Sequence, residues 1–181
     1  LRRYLISRGE LPRQPLIAAV PVSLRQDDGT QGNEVTFTLA SLATDVVDPV
    51  KRFMRIKRSM DYAKTRFQQM TPAQRLAYSV ALLAPGAIKT FLGTDKNRTI
   101  ANVVISHVPG PREPVYWQGC RVEGIYPASI VLDGFALNIT LVSRHDAVDF
   151  GLTACKRTVP QMQRLLDYTE DALTELESPS P

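Results

Sequence analysis

Residues 99–111 read TIANVVISHVPGP, a β-branched run halted by proline, glycine and proline. Valine and isoleucine are stiff at χ1 and pack well on a pleated surface, so Val103, Val104 and Ile105 read as a buried strand. Pro109 and Pro111 carry no amide hydrogen, so a sheet ladder stops there. Gly110 between them permits a sharp backbone and the close approach of another group. The chain must therefore build a sheet in which one strand ends at a rigid corner. The last turn before that corner carries Ser106 and His107.

The rest of the chain supplies partners for that strand. PLIAAVPVSLR (15–25) is a nearly continuous apolar run, as expected of a strand buried on both faces. EVTFTLASL (34–42) alternates, and the polar QDDGTQGN (26–33) separates the two. EPVYWQGCRVEGIYP (113–127) suggests a short hairpin, and FALNITLVSRHDAVDFGLTAC (135–155) two strands around a His-Asp turn. Asp48-Pro49 opens a helix over 49–70, and Thr71-Pro72 a second one to about Leu83, with Pro85-Gly86 breaking the apolar stretch 76–92. VPQMQRLLDYTEDALTELE (159–177) is an amphipathic helix with Met162, Leu165, Leu166, Thr169, Leu173 and Leu176 along one stripe. Residues 178–181 read as a frayed tail. LRRYLISRG resembles the end of a helix, with Leu1, Tyr4 and Leu5 on one face and Gly9 as the stop. The chain is accordingly read as a C-terminal piece of a longer protein. Strands and helices are interspersed without strict alternation, so the expected fold is α/β: a mixed sheet with flanking helices.

Charge and composition exclude several classes. With 44% hydrophobic and 22% charged residues the chain is not wholly disordered. A net charge of +4 is too even for a nucleic-acid binder, and the basic helix lacks interleaved aromatics, so no nucleic-acid partner is expected. Cys120 and Cys155 are far apart and form no metal-ligand spacing, so the expectation is two reduced thiols in a cytoplasmic protein and no metal site. No run approaches the roughly 20 apolar residues needed to span a bilayer. In the helix 49–70, Phe53, Ile56, Met60, Ala63, Phe67 and Met70 share one side, and Lys51, Arg52, Arg55, Lys57, Arg58, Lys64 and Arg66 crowd the rest. That pattern suits either a core stripe with a solvated cationic face or a peripheral contact with a membrane or lipid droplet.

NVVISHVPGPREPVYWQGCRVEGIYPASIVLDGFALNITLVSRHDAVDFGLTACKRTVP (102–160) resembles the C-terminal region of bacterial wax ester synthase/diacylglycerol acyltransferases. In that family a strand ends in Ser-Asn-Val-Pro-Gly-Pro, followed by a Leu-Asp-Gly turn and an Ala-Leu-Asn-Ile strand. PLIAAVPVSLR and Gly32-Asn33 are similar to further family segments, in the same order. The resemblance runs over residues 1–177 and is weakest across 71–98. It implies a chloramphenicol-acetyltransferase-like lobe, one half of a two-lobe coenzyme A-dependent acyltransferase. Such enzymes pass a fatty acyl group from acyl-coenzyme A to diacylglycerol or a long-chain alcohol. The general base of the family is the second histidine of His-His-x-x-x-Asp-Gly in the N-terminal lobe. Neither His107 nor His145 stands in such a motif, so this chain is expected to hold no catalytic base and to be inactive alone.

The resemblance also nominates residues. Ser106 is the candidate donor to the oxyanion formed when an alcohol attacks a thioester, the alternative being a serine bonded to backbone at a strand end. His107 stands where the family has Asn and is a candidate for cleft support. Pro109 and Gly110 are candidates for the tunnel wall, or simply a turn that guards a sheet edge. Asn33 and Asn138 are candidates to line the cleft or to bond across strands. Arg25 is a candidate to pair with the Asp of the N-terminal lobe's motif and lock the lobes together. Acyl-coenzyme A is expected as substrate, with no cofactor. The other class of function left open is a non-catalytic lipid- or partner-binding scaffold. A face that met a second lobe should be apolar and unusually exposed.

Overall fold

The computed structural model describes residues 1–23, 35–92, 100–132 and 134–178. In chain order the elements are α1 (Arg2–Ser7), β1 (Ile17–Ser23), β2 (Val35–Ser41), α2 (Pro49–Gln68), α3 (Pro72–Leu92) and β3 (Val103–Pro109). The short β4 (Tyr116–Trp117) and β5 (Cys120–Arg121), then β6 (Leu137–Arg144), β7 (Ala147–Ala154) and α4 (Arg164–Glu177) complete it. The expected mixed α/β architecture is present: a five-stranded sheet in the order β2-β1-β3-β6-β7, with β4 and β5 as a separate hairpin. β1 runs parallel to β3 and β3 to β6, while the outer strands β2 and β7 are antiparallel to their neighbours.

One face of the sheet carries the helices. Ala18, Val103 and Leu137 pack there with Tyr4 of α1, with Val159 from the loop before α4, and with Leu165 of α4. The Tyr4 hydroxyl donates to the Pro160 carbonyl at 2.7 Å, and Arg3 bridges Asp171 at 3.0 Å and Glu175 at 3.2 Å. Toward β2, the Ser41 amide donates to Ser59 Oγ of α2 at 2.9 Å, and the Thr36 and Ser79 hydroxyls tie β2 to α3. The opposite face holds a smaller cluster of Ala19, Ala101 and Val104 with Ile17, Phe37, Leu39 and Phe135 around it.

Three helix expectations need correction. α3 runs through Pro85-Gly86 to Leu92 rather than stopping near Leu83. One proline removes a single amide donor, and the alanines and leucines around it are strong helix formers. In α2 the Asp48 cap holds as expected, accepting from the Lys51 amide at 2.7 Å. Its inward stripe, however, includes Arg52 and Ser59, while Phe53 is 51% exposed. The Ser59–Ser41 bond and the Arg52 guanidinium, which donates to the Val46 and Val47 carbonyls, set the rotation of the helix and turn Phe53 outward. In α4 the inward residues are Leu165, Tyr168 and Ala172, while Leu166, Leu173 and Leu176 are exposed. The Arg3 bridges to Asp171 and Glu175 fix that rotation. α4 also starts at Arg164, because Gln161 adopts a left-handed φ of +57°. Of the expected tail, Ser178 caps α4 through its amide on the Thr174 carbonyl, and 179–181 lie outside the described residues.

Candidate functional site

The sheet forks between β1 and β3. Only Ala18 with Val103 and Ala19 with Val104 pair across this boundary, although both strands continue. Ile17 sends its amide to Asn102 Oδ1 and receives the Asn102 amide on its carbonyl, both at 2.8 Å. Backbone groups of alternate strand residues point the same way, so Ile17, Ala19 and Pro21 all aim theirs at β3. Pro21 has no hydrogen to give, and continuing the register would bring it level with Ser106. β3 beyond Val104 therefore pairs with β6 alone, from Ile105 with Ile139 to Pro109 with Ser143. In the sheet β2 lies on the far side of β1, and β6 on the far side of β3. Such a switch point at the carboxyl ends of parallel strands is where open α/β sheets form their ligand crevice.

The Pro-Gly-Pro corner closes the far side of β3. The Gly110 amide donates to the Ser143 carbonyl at 2.7 Å, and a Cβ on Gly110 would stand 2.5 Å from that oxygen and 2.9 Å from Val142 Cγ1. Glycine is required here by backbone contact. The chain then runs on over the β6–β7 turn, where the His145 amide donates to the Pro111 carbonyl at 3.1 Å and its Nδ1 lies 3.0 Å from the Arg112 carbonyl. His107 Nε2 and Ser143 Oγ are 3.0 Å apart, so the imidazole is tied to the same strand end as the corner.

Successive strand residues face opposite sides, so Ser106 and His107 cannot point into one space. His107 and Pro109 share the face of Ser143, at the exposed end of β3. Ser106 shares the other face with Asn138 and Thr140 and is half-buried. Asn138 is buried, and its amide is consumed by the protein. It donates to Ser129 Oγ at 3.1 Å and the Ile130 carbonyl at 2.9 Å, and it accepts from Thr140 Oγ1 at 3.1 Å. Nearby, Asp149 accepts from the Ile125 amide at 2.9 Å and Arg144 Nε at 2.8 Å. That amide first, and the guanidinium second, hold its carboxyl below the usual range. Arg25 and Asn33 lie outside the described residues.

A family model for the WS/DGAT C-terminal domain matches residues 31–177. The chain belongs to this family. It is 47% identical over 173 residues to the O-acyltransferase WSD of Acinetobacter baylyi, covering 96% of this chain and 38% of that one. A Mycobacterium tuberculosis relative with a provisional diacylglycerol O-acyltransferase name is 49% identical over 179 residues, 98% of this chain and 40% of the relative. Among solved structures, the wax ester synthase/diacylglycerol acyltransferase of Marinobacter aquaeolei VT8 superposes with a TM-score of 0.81 at 42% identity. It is matched over 97% of this chain and 40% of its own. The WS/DGAT C-terminal domain thus spans about two fifths of the relatives it matches.

Several site neighbours of this WS/DGAT domain were not singled out from its sequence. Thr140 follows Asn138 at strand period and was open to discovery that way, whereas Ser143 meets His107 and Gly110 only through the parallel register of β3 on β6. Both cysteines are free and exposed. Among the described residues no acidic, histidine or cysteine cluster could hold a metal ion, and no helix is long and apolar enough to cross a membrane.

Proposed function

We propose that this chain is the C-terminal lobe of an enzyme that transfers a fatty acyl group from acyl-coenzyme A to diacylglycerol or a long-chain alcohol. The observation that carries the reading is its 42% identity and TM-score of 0.81, over 97% of the chain, to a protein named for that activity. Alcohol attack on the thioester builds a tetrahedral oxyanion, a base removes the alcohol proton, and coenzyme A leaves as the thiol. The N-terminal lobe of the same protein supplies the base. This lobe supplies a wall at the fork, where Ser106 stands half-buried in the middle of β3, two residues past its last pairing with β1 and not at the strand end as the sequence suggested, and donates to the developing oxyanion. Pro109 and Gly110 keep the corner rigid, and His107 acts on the other face through its bond to Ser143. Asn138 supports the wall by anchoring residues 129–130, Asn33 lines the cleft, and Arg25 pairs with the acidic residue of the partner lobe's motif. No cofactor or metal takes part.

A peripheral lipid contact belongs to the same reading. Val47, Val50, Phe53 and Met54 are all about half exposed or more at the start of α2, beside the outward Lys51, Lys57 and Arg58. Apolar side chains entering the acyl boundary with cations at headgroup level suit an anionic lipid surface.

The test is release of free coenzyme A from a long-chain acyl-coenzyme A with diacylglycerol or hexadecanol. The full-length protein should release it, and this chain alone should not. Release by this chain alone would overturn the division of labour. Silence from a folded full-length protein would favour the non-catalytic scaffold.

A further inference from the structure

The outer sides of α2 and α4 carry opposite charge. Both helices lie on one face of the sheet and touch each other. In α4, Leu165, Tyr168 and Ala172 face inward, yet Leu166, Thr169, Leu173 and Leu176 keep a second 3-4-3 spacing on the outer side. That spacing is the seam of a helix that packs against another helix. Its leucines are 47%, 57% and 44% exposed, so the seam has no partner among the described residues. Beside it stand Asp167, Glu170 and Glu177, which form no ion pair among the described residues, because Arg3 takes Asp171 and Glu175. The outer side of α2 is the counterpart. Val50, Phe53 and Met54 are about half exposed there. Around them Lys51, Lys57, Arg58 and Lys64 are exposed and form no ion pair among the described residues, whereas Arg55 is taken by Asp45. An apolar seam with unspent acids thus lies next to an apolar patch with unspent cations.

We infer that this face docks on the same face of a second copy of the protein, with α2 of each copy seated on α4 of the other. The occupant follows from charge. A surface that is basic on one half and acidic on the other is its own complement once turned about a two-fold axis between the halves. The alternative two-fold arrangement stacks α2 on α2 and α4 on α4, and the like charges it opposes reject it. A lipid surface suits only the α2 half, because anionic headgroups repel the acids of α4. Phe53 and Met54 serve either contact, so lipid and a second copy exclude each other, and the dimer is the form of the protein away from lipid. With 20 and 14 residues, α2 and α4 are about 30 Å and 21 Å long and about 10 Å wide, which gives roughly 500 Å² per copy. The total of about 1,000 Å² stands at the threshold of a specific interface, so the association is reversible. The exposed leucines and Phe53 supply its affinity, and the charges, each weak, supply its orientation.

Sedimentation equilibrium of the full-length protein without lipid or detergent, over roughly 1–200 µM, tests this. The mass should rise with concentration toward twice that of one chain, and a single-chain mass throughout would overturn the inference. Two charge-reversed variants then locate the contact. Lys57→Glu with Arg58→Glu reverses the sign on α2, and Glu170→Lys with Glu177→Lys reverses it on α4. Each variant alone should keep its melting temperature and stay at the mass of one chain. An equal mixture of the two should recover the dimer, because each supplies the sign that the other lacks. A dimer that survives in both variants would place the contact elsewhere and overturn the inference, as would two folded monomeric variants that fail to associate when mixed. A full-length protein that stays single while this chain alone dimerises would identify the other lobe as the occupant, and overturn it too. Docking requires no acyl transfer, so failure of the enzymatic reading leaves it untouched.

Discussion

Gly151 is where the segment 125–130 touches β7 most closely, so Gly151→Ala probes how firmly that segment is held. An added Cβ would fall inside the Pro127 carbonyl oxygen, 2.8 Å from its carbon and 3.1 Å from Pro127 Cγ, where ordinary contact begins near 3.4 Å. Backbone cannot rotate aside like a flexible side chain, so residues 125–130 must lift. Lifting stretches the Ile125–Asp149 and Asn138–Ile130 bonds, both 2.9 Å. Overpacking costs about 2 kcal/mol, and two weakened hydrogen bonds add about 1 kcal/mol each. Reduced freedom of the unfolded chain returns only about 0.7 kcal/mol. The clash wins, with a net loss of about 3 kcal/mol, or roughly 6–12 °C in melting temperature for a chain of this size. Urea unfolding followed by circular dichroism reads it. A double-mutant cycle then asks whether the loss runs through the segment. Asn138→Ala alone should cost about 2 kcal/mol, and the double variant less than the sum, because the segment can be released only once. A Gly151→Ala protein as stable as its parent, or strictly additive costs, would refute the account of this segment as clamped onto β7.

Three further outcomes follow from local geometry. Asp48→Ala removes the acceptor for the Lys51 amide and should cost about 1 kcal/mol; an unchanged urea midpoint would show that Pro49 alone starts α2. Asp149 has its carboxyl lowered in the folded state, so its contribution is present above the unfolded value of about 3.9 and lost as pH falls through the folded value. Asp149→Asn should therefore flatten the acid limb of stability against pH, and identical limbs for variant and parent would exclude Asp149 from acid unfolding. Trp117, the chain's one tryptophan, is 74% exposed, so its emission should lie near that of free indole and quench readily with acrylamide. A blue-shifted, shielded Trp117 would mean that the β4–β5 hairpin is covered in solution.

Local signals in the sequence carried far. Val103 to Ile105, the alternation of 34–42 and the His-Asp turn each set strand type and ends through side-chain sterics and turn chemistry, which act between neighbours. Helix rotation was less legible. Phe53 obeys the inward spacing of α2 but is turned out by contacts at Ser59 and Arg52, made to residues distant in sequence or outside the helix. Leu166, Leu173 and Leu176 misled in the same way, because Arg3 pulls Asp171 and Glu175 toward α1. At the site, the Pro-Gly-Pro corner was visible, but its contact with Ser143 depends on which strand lies beside β3. Asp149 and Gly151 likewise serve a segment more than twenty residues earlier, at Ile125 and Pro127.

The two-pair seam between β1 and β3 makes the sheet mechanically a pair of tongs. One arm is β2 with β1, the other β3 with β6 and β7, and the pivot is Ala18, Ala19, Val103 and Val104. A small change of twist at the pivot is magnified along the arms, where Pro21 and Ser106 stand beyond it. The alanines are 0% and 3% exposed, so neither has room for a larger side chain. A single methyl group added at the seam would therefore be felt as a change of gape two residues away, and the width available to a guest between the arms is set by residues that never touch it.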